Sequence, residues 1–247
     1  MPIEATVKNQ LVLSLFPGID IFGHAFELEG FCVVQGPEIE FGRDIKTWNI
    51  VPGFFTGLIG GPPCQMYSPA AQGSSPAEDM IPEFVYAVVI AQPQWLVMEN
   101  VRQAPVPQIP GYAIRSTLID AWHYGARQKR IRRFTFGYKT PDGELRTFPF
   151  VEEPPLNIRD RDPDPFPTVT ATEHKFSKKH DEPRKASRKI GRTLQVEEIM
   201  CLMGVPDWPE MLDIKRRSQS KMFGNGVELH AGRVVARAIK RGLEYLP

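Results

Sequence analysis

The chain of 247 residues is long enough for one large domain, or one domain with a small lobe, and its 42% hydrophobic content supplies a real core. No stretch approaches the length of a membrane span, no basic segment followed by an apolar run opens the chain, and three cysteines without metal-like spacing argue against a disulfide framework or a zinc site. A net charge of +1 conceals a polarised chain, since residues 1–100 hold 3 Lys/Arg against 11 Asp/Glu and the remainder hold 27 against 18. A reducing cytoplasm is the expected location. The basic residues gather at 127–133, 175–192 and 215–241, with Phe, His and Ser interleaved, which suits a polyanion-binding surface.

Leu11 to Phe16 is a short apolar run ending at Pro17-Gly18, a strand followed by a turn. Phe22 to Glu29 has helical spacing. Phe31 to Val34 reads as a second strand, with Glu38 shortly after it. Phe54 to Ile59 predicts another strand, Glu83 to Ala91 a helix, and Trp95 to Met98 a buried strand delivering Glu99-Asn100-Val101. Arg132 to Tyr138 alternates like a strand. This order predicts a doubly wound, largely parallel α/β sheet.

Between Thr140 and Lys189 prolines cluster, charges are dense and no long periodic segment appears, so a small loop-rich lobe is expected, with Thr168-Val169-Thr170 as its best strand. Helical pattern returns at Val196 to Met203 and again from about Glu228 to Leu243. The expected organisation is a catalytic and cofactor-binding domain over 1–139, a small lobe over 140–190, and a segment over 191–247 that returns to the first domain. Cys32 and Cys201 sit in apolar contexts and are expected to be buried and structural.

Cys64 is different. It follows Gly60-Gly61-Pro62-Pro63 at the end of an apolar stretch, where a loop would present its side chain at the carboxyl edge of the sheet, the edge at which ligands of open α/β sheets bind. The prolines exclude a helix interior and the glycines permit close approach of another molecule. Glu99, directly after a four-residue apolar strand, is a poor core residue and a good functional carboxylate. In Gln128-Lys129-Arg130-Ile131-Arg132, arginines at i and i+2 of an extended segment point to the same side, suited to phosphate and to a base carbonyl oxygen.

Six signals in order resemble the C5-cytosine DNA methyltransferases over nearly the whole chain: Leu15-Phe16-Pro17-Gly18-Ile19-Asp20, Pro37-Glu38-Ile39-Glu40 with Asp44-Ile45, the Cys64 loop, Glu99-Asn100-Val101, Gln128 to Arg132, and Arg192-Thr193-Leu194 through Asp207 with Gly224-Asn225-Gly226-Val227. The resemblance implies a Rossmann-like S-adenosylmethionine-dependent methyltransferase sheet with a small target-recognition lobe. It implies Cys64, Glu99, Arg130 and Arg132 as catalytic residues. Phe16, Gly18, Ile19, Glu38, Ile39, Asp44, Ile45, Pro63, Asn225 and Val227 would bind the cofactor S-adenosyl-L-methionine. Gln65, Ser68, Gln128, Arg130, Arg132, Thr168, Thr170, Lys175, Lys178 and Lys179 would contact DNA. No metal is expected.

The chain departs from the family pattern at two positions, with Ser14 where an aspartate is common and Asp20 where a second glycine is usual. The implied reaction transfers a methyl group to C5 of a cytosine swung out of duplex DNA, through a Cys64–C6 adduct, with Glu99 at N3, Arg132 at O2 and Arg130 at the backbone of the flipped nucleotide. A neighbouring cation or helix terminus is expected to promote the Cys64 thiolate, and Met66 to Met80 to close over the base. Only 53 residues separate Tyr138 from Arg192, which predicts a short or degenerate target of about two to three base pairs. A transfer-RNA methyltransferase of the same family and a catalytically decayed DNA-binding homologue are the competing readings. A monomer acting on double-stranded DNA is expected, without membrane association, with a cognate restriction endonuclease or with none if the enzyme is phage-encoded.

Overall fold

The computed structural model describes residues 11–67, 78–140, 152–171, 185–209, 211 and 214–244. In chain order the elements are β1 (Leu11–Leu15), α1 (Ile21–Leu28), β2 (Cys32–Gln35), β3 (Gly57–Gly60), α2 (Ile81–Ala91), β4 (Trp95–Asn100), β5 (Tyr112–Asp120), β6 (Ile131–Lys139), α3 (Lys185–Ile190), α4 (Val196–Leu202), α5 (Arg216–Asn225) and α6 (Leu229–Glu244), with short 3-10 turns at Ile39–Phe41, Ile45–Thr47, Ala121–Tyr124 and Ile158–Asp160. The six strands form one sheet in the order β2-β1-β3-β4-β6-β5. β2, β1, β3 and β4 run parallel, while β6 and β5 are antiparallel. The largely parallel, doubly wound sheet is thus present.

Register decides what meets at the carboxyl edge. Leu15 pairs with Gly60 and Gly60 with Met98, so Phe16, Gly61 and Glu99 emerge side by side from three neighbouring strands. β6 enters from the same edge, with Arg133 opposite Asn100. Strand alternation sends side chains to opposite faces. On one face Val12, Val97, Phe134 and Phe136 pack with Phe22 and Phe26 of α1 and with Val235 and Ile239 of α6. On the other Leu13, Leu15, Leu58, Leu96 and Met98 pack with Phe84 and Val88 of α2. A third cluster joins Ile19 and Ile21 to Val169, Ala186, Leu194, Ile199, Met203 and Phe223. The described part of the 140–190 interval therefore packs directly on the turn after β1.

Several expectations need correction. Thr168-Val169-Thr170 forms no strand; the segment is held instead by side-chain bonds from Gln128 and Arg130 and by an isolated bridge between Gln128 and Phe166. Cys32 and Cys201 are both exposed, Cys32 because β2 is an edge strand, Cys201 because it faces outward on α4. Much of the basic charge near the C-terminus is internally paired. Arg233 and Arg237 bond Glu29, and Arg237 and Arg241 bond Glu153, tying α6 to the end of α1 and to the 152–156 segment. Among the described residues no helix is long and apolar enough to cross a membrane.

Candidate active site

The Cys64 loop leaves β3 through Gly61-Pro62-Pro63. The Asn100 amide, buried at the end of β4, donates to the Pro62 carbonyl at 3.2 Å, and its own Oδ1 accepts from Val101 N at 2.8 Å. This clamp fixes the loop against the neighbouring strand and was not assigned a role from sequence, although Asn100 lies inside the Glu99 signal. Beyond Cys64 the chain turns back, with Tyr67 N bonded to the Cys64 carbonyl at 3.0 Å and the Tyr67 hydroxyl donating to Asp79 at 2.6 Å. That bond pushes the Tyr67 hydroxyl up to about 12. Residues 66, 67 and 78–80 thus frame the expected mobile loop, whose residues 68–77, Ser68 among them, lie outside the described residues.

Glu99 is buried, and Arg132 bonds it through Nε at 3.1 Å. Burial raises the Glu99 carboxyl above its ordinary range, with Arg132 and Arg130 pulling the other way. Burial, and then the Glu99 carboxylate, push the Cys64 thiol up; Arg132 and Arg130 oppose them without prevailing. The expected activation of Cys64 by neighbouring cations is therefore outweighed by desolvation. A half-buried thiol, a carboxyl inclined to hold a proton and a cation bonded to it form one cluster at the sheet edge.

Arg130 and Gln128 are buried and bonded to backbone carbonyls. Arg130 is 1% exposed and donates to the carbonyls of Val169 at 2.7 Å, Gly224 at 3.0 Å and Gly226 at 2.7 Å. Burial lowers its guanidinium to about 9, with the nearby Arg132 contributing. Gln128 is 0% exposed; its amide donates to the Leu202 carbonyl at 2.5 Å and its Oε1 accepts from Val169 N at 3.0 Å. Both were expected at DNA, and both are instead bolts between β6, the 166–170 segment and the C-terminal helices. Along 126–131, residues 126, 128 and 130 are buried while Arg127, Lys129 and Ile131 face outward. Thr168 is engaged through its hydroxyl with the Lys129 carbonyl at 2.6 Å. Thr170 lies half-buried, Gln65 is exposed, and Lys175, Lys178 and Lys179 fall outside the described residues.

A cavity lies beside the β1 turn. About 220 Å³ in volume, it is lined by Pro17, Gln35, Gly36, Glu38, Phe41 and Arg43. Glu38 accepts from Gly18 N at 2.7 Å with one carboxylate oxygen and from Glu40 N at 3.2 Å with the other. Each oxygen keeps a further lone pair. Gly18 has φ +57° and open space where a side chain would project, and the apolar side chains of Ile39 and Phe41 are exposed next to Glu38. Carboxylate, apolar platform and open turn fit a nucleoside cofactor. Asp44 caps the next 3-10 turn through Lys46 N, with Ile45 and Phe16 packed on the α2-side core. Pro63 and Asn225 are exposed. Ile19 and Val227, also expected at the cofactor, are buried at 7% and 5% exposure.

Known proteins resemble this chain in sequence and in fold. The model of the family described as C-5 cytosine-specific DNA methylase matches residues 39–107, which span the Glu38-side segment, the Cys64 loop and Glu99. The Type II methyltransferase M.AplI of Arthrospira platensis is 25% identical over 319 aligned residues, covering 100% of this chain and 90% of that one. M.HgiDI of Herpetosiphon aurantiacus is 34% identical over 95 residues, covering 33% of this chain and 30% of its own length. In fold, the methyltransferase EhMeth of Entamoeba histolytica superposes with a TM-score of 0.62 at 14% identity, over 96% of this chain and 99% of that one. Residues 39–107 thus match the C-5 cytosine-specific DNA methylase family, and the chain as a whole is similar to a Type II methyltransferase.

Proposed function

We propose that this enzyme methylates C5 of a cytosine swung out of duplex DNA at a short target, using S-adenosyl-L-methionine. The observation that carries the reading is the Cys64–Glu99–Arg132 cluster at the carboxyl edge of the sheet. Unaided, C5 of cytosine is too weak a nucleophile to accept a methyl group. The Cys64 thiolate adds to C6, forming an Sγ–C6 bond and moving electron density to C5 as an enamine. Glu99 faces N3 and the exocyclic amine; its raised carboxyl supplies or shares the proton that offsets the charge developing at N3. Arg132, already bonded to Glu99, orients it and reaches O2. After C5 is methylated, water removes the C5 proton and the Sγ–C6 bond breaks, returning Cys64.

The cofactor, when bound, supplies an electrophilic methyl group. Glu38 would hold its ribose hydroxyls, Phe16, Ile39 and Ile45 its adenine, and Asp44 the adenine amine. Gly18, Pro63, Asn225 and the backbones at 19 and 227 would line the remainder. Flipping the base costs roughly a few kcal/mol of stacking and pairing. Contacts from Gln65, from the outward face of 127–131 and from the 166–170 segment to the DNA would offset it. The relatives are named Type II methyltransferases. A modification role alongside a restriction endonuclease is consistent with that naming.

The test is base-resolution mapping of 5-methylcytosine in unmodified duplex DNA after incubation with S-adenosyl-L-methionine. The reading expects methylation confined to one short context, lost in Cys64→Ala, with duplex binding by that variant still measurable. Methylation retained by Cys64→Ala would remove the nucleophile assignment, and methylation of transfer RNA alone would replace the substrate.

A further inference from the structure

The turn from β1 into α1 is unusual in its backbone. Phe16, Gly18 and Asp20 all adopt left-handed conformations, with φ of +53°, +57° and +59°. Only one of the three is glycine. A left-handed conformation is strained for a residue with a Cβ, least for Asn and Asp, and persists only where surrounding contacts enforce it. Here the contacts converge on one carboxylate. Asp20 is 3% exposed; its Oδ1 accepts from the buried Ser14 hydroxyl at 2.7 Å and from Gly23 N at 2.9 Å, capping α1. Asp20 N returns to the Pro17 carbonyl at 2.7 Å. Any side chain at 23 would collide with that carboxylate, so glycine at this position belongs to the same device. Ser14 lies in β1 and Asp20 closes the turn as the N-cap of α1, so their bond spans the five intervening residues, which include Phe16 and Gly18.

We propose that Ser14 and Asp20 are a positioning pair that locks the 16–20 turn in the shape the cofactor needs, so that the two departures from the family pattern compensate one another. The inference rests on the cofactor reading above. Asp20 acts through geometry, because its Oδ1 is engaged by Ser14 and Gly23 and its carboxyl also takes a side-chain bond from Gln35 inside the protein. Burial holds the Asp20 carboxyl above its usual range, so asparagine, which keeps an acceptor oxygen and tolerates a left-handed backbone, should serve as well.

The experiment is calorimetric titration of the whole chain with S-adenosylhomocysteine, below the unfolding midpoint of every variant, with duplex affinity measured in parallel. Asp20→Asn should bind within about twofold of the unsubstituted chain, Asp20→Ala about tenfold or more weakly, and Ser14→Ala about threefold to fivefold weakly, all with unchanged duplex affinity. The double variant Ser14→Asp, Asp20→Gly should bind more tightly than Asp20→Gly alone. Asp20→Ala binding as well as the unsubstituted chain would overturn the pair's role, as would Asp20→Asn losing as much as alanine. If Asp20→Ala does not fold, Ser14→Ala decides, and an unchanged Kd there overturns the proposal. Failure of the unsubstituted chain to bind S-adenosylhomocysteine would instead overturn the cofactor reading, and the pair's role with it.

Discussion

Cys64 and Glu99 share one buried patch and one problem, since each is least stable in its charged form there. Desolvation and the Glu99 charge both favour the thiol over the thiolate, with Arg132 and Arg130 opposing them. The sign can be measured in a chain carrying Cys32→Ser and Cys201→Ser, which removes the two exposed thiols. The alkylation rate of Cys64 by iodoacetamide should keep climbing above the ordinary thiol pKa of about 8.5. Glu99→Gln removes a neighbouring negative charge, so the profile should move to lower pH. The same substitution should slow methyl transfer by about a hundredfold or more, because a donor to the developing charge is lost. Faster alkylation with slower turnover is the signature; a profile unmoved by Glu99→Gln would separate the two groups.

At the scale of elements, sequence and structure agree where a segment's burial is uniform. β1, β4, α1, α2 and α6 are each apolar runs or clear helical stripes, and their positions were legible to within a few residues. β5 was not, because it is an edge strand whose Arg115, Ser116 and Thr117 break the alternation. α5 was missed because eight of its ten residues are polar or glycine and only Met222 and Phe223 give it large apolar anchors. The Cys64, Glu99 and Glu38 positions were readable because strand-end residues of a parallel sheet meet at one edge whatever surrounds them. The fates of Arg130 and Gln128 were not, since a motif records residue type while only the fold shows which face of an extended segment is covered. Arg130 now carries a stability prediction. Arg130→Ala leaves the Val169, Gly224 and Gly226 carbonyls without their donor, a loss of about 3–5 kcal/mol for breaking a buried charged network. The unfolding midpoint should fall by roughly 10 °C. A variant with an unchanged midpoint but weakened duplex binding would return Arg130 to the DNA.

Across the whole molecule, the charge asymmetry visible in sequence is partly offset by ion pairs. Part of the basic half meets the acidic half directly, through Glu29 with Arg233 and Arg237 of α6 and through Glu40 with Lys221, while Glu153 with Arg237 and Glu197 with Arg216 pair within the basic half itself. The outward residues Arg127 and Lys129 are exposed, the former paired with Asp162 at 3.8 Å and the latter over the Trp122 ring at 5.0 Å.

The central claim is that Cys64 bonds covalently to the target cytosine. It is tested most directly by incubating the enzyme and S-adenosyl-L-methionine with duplex DNA bearing 5-fluorocytosine. Fluorine at C5 leaves no proton to remove after methylation, so the Sγ–C6 bond should persist. The account predicts a denaturation-resistant protein–DNA adduct that mass spectrometry maps to Cys64 and that Cys64→Ala cannot form. An adduct at another residue, or methyl transfer to unmodified DNA with no adduct trapped on the fluorinated duplex, would contradict it.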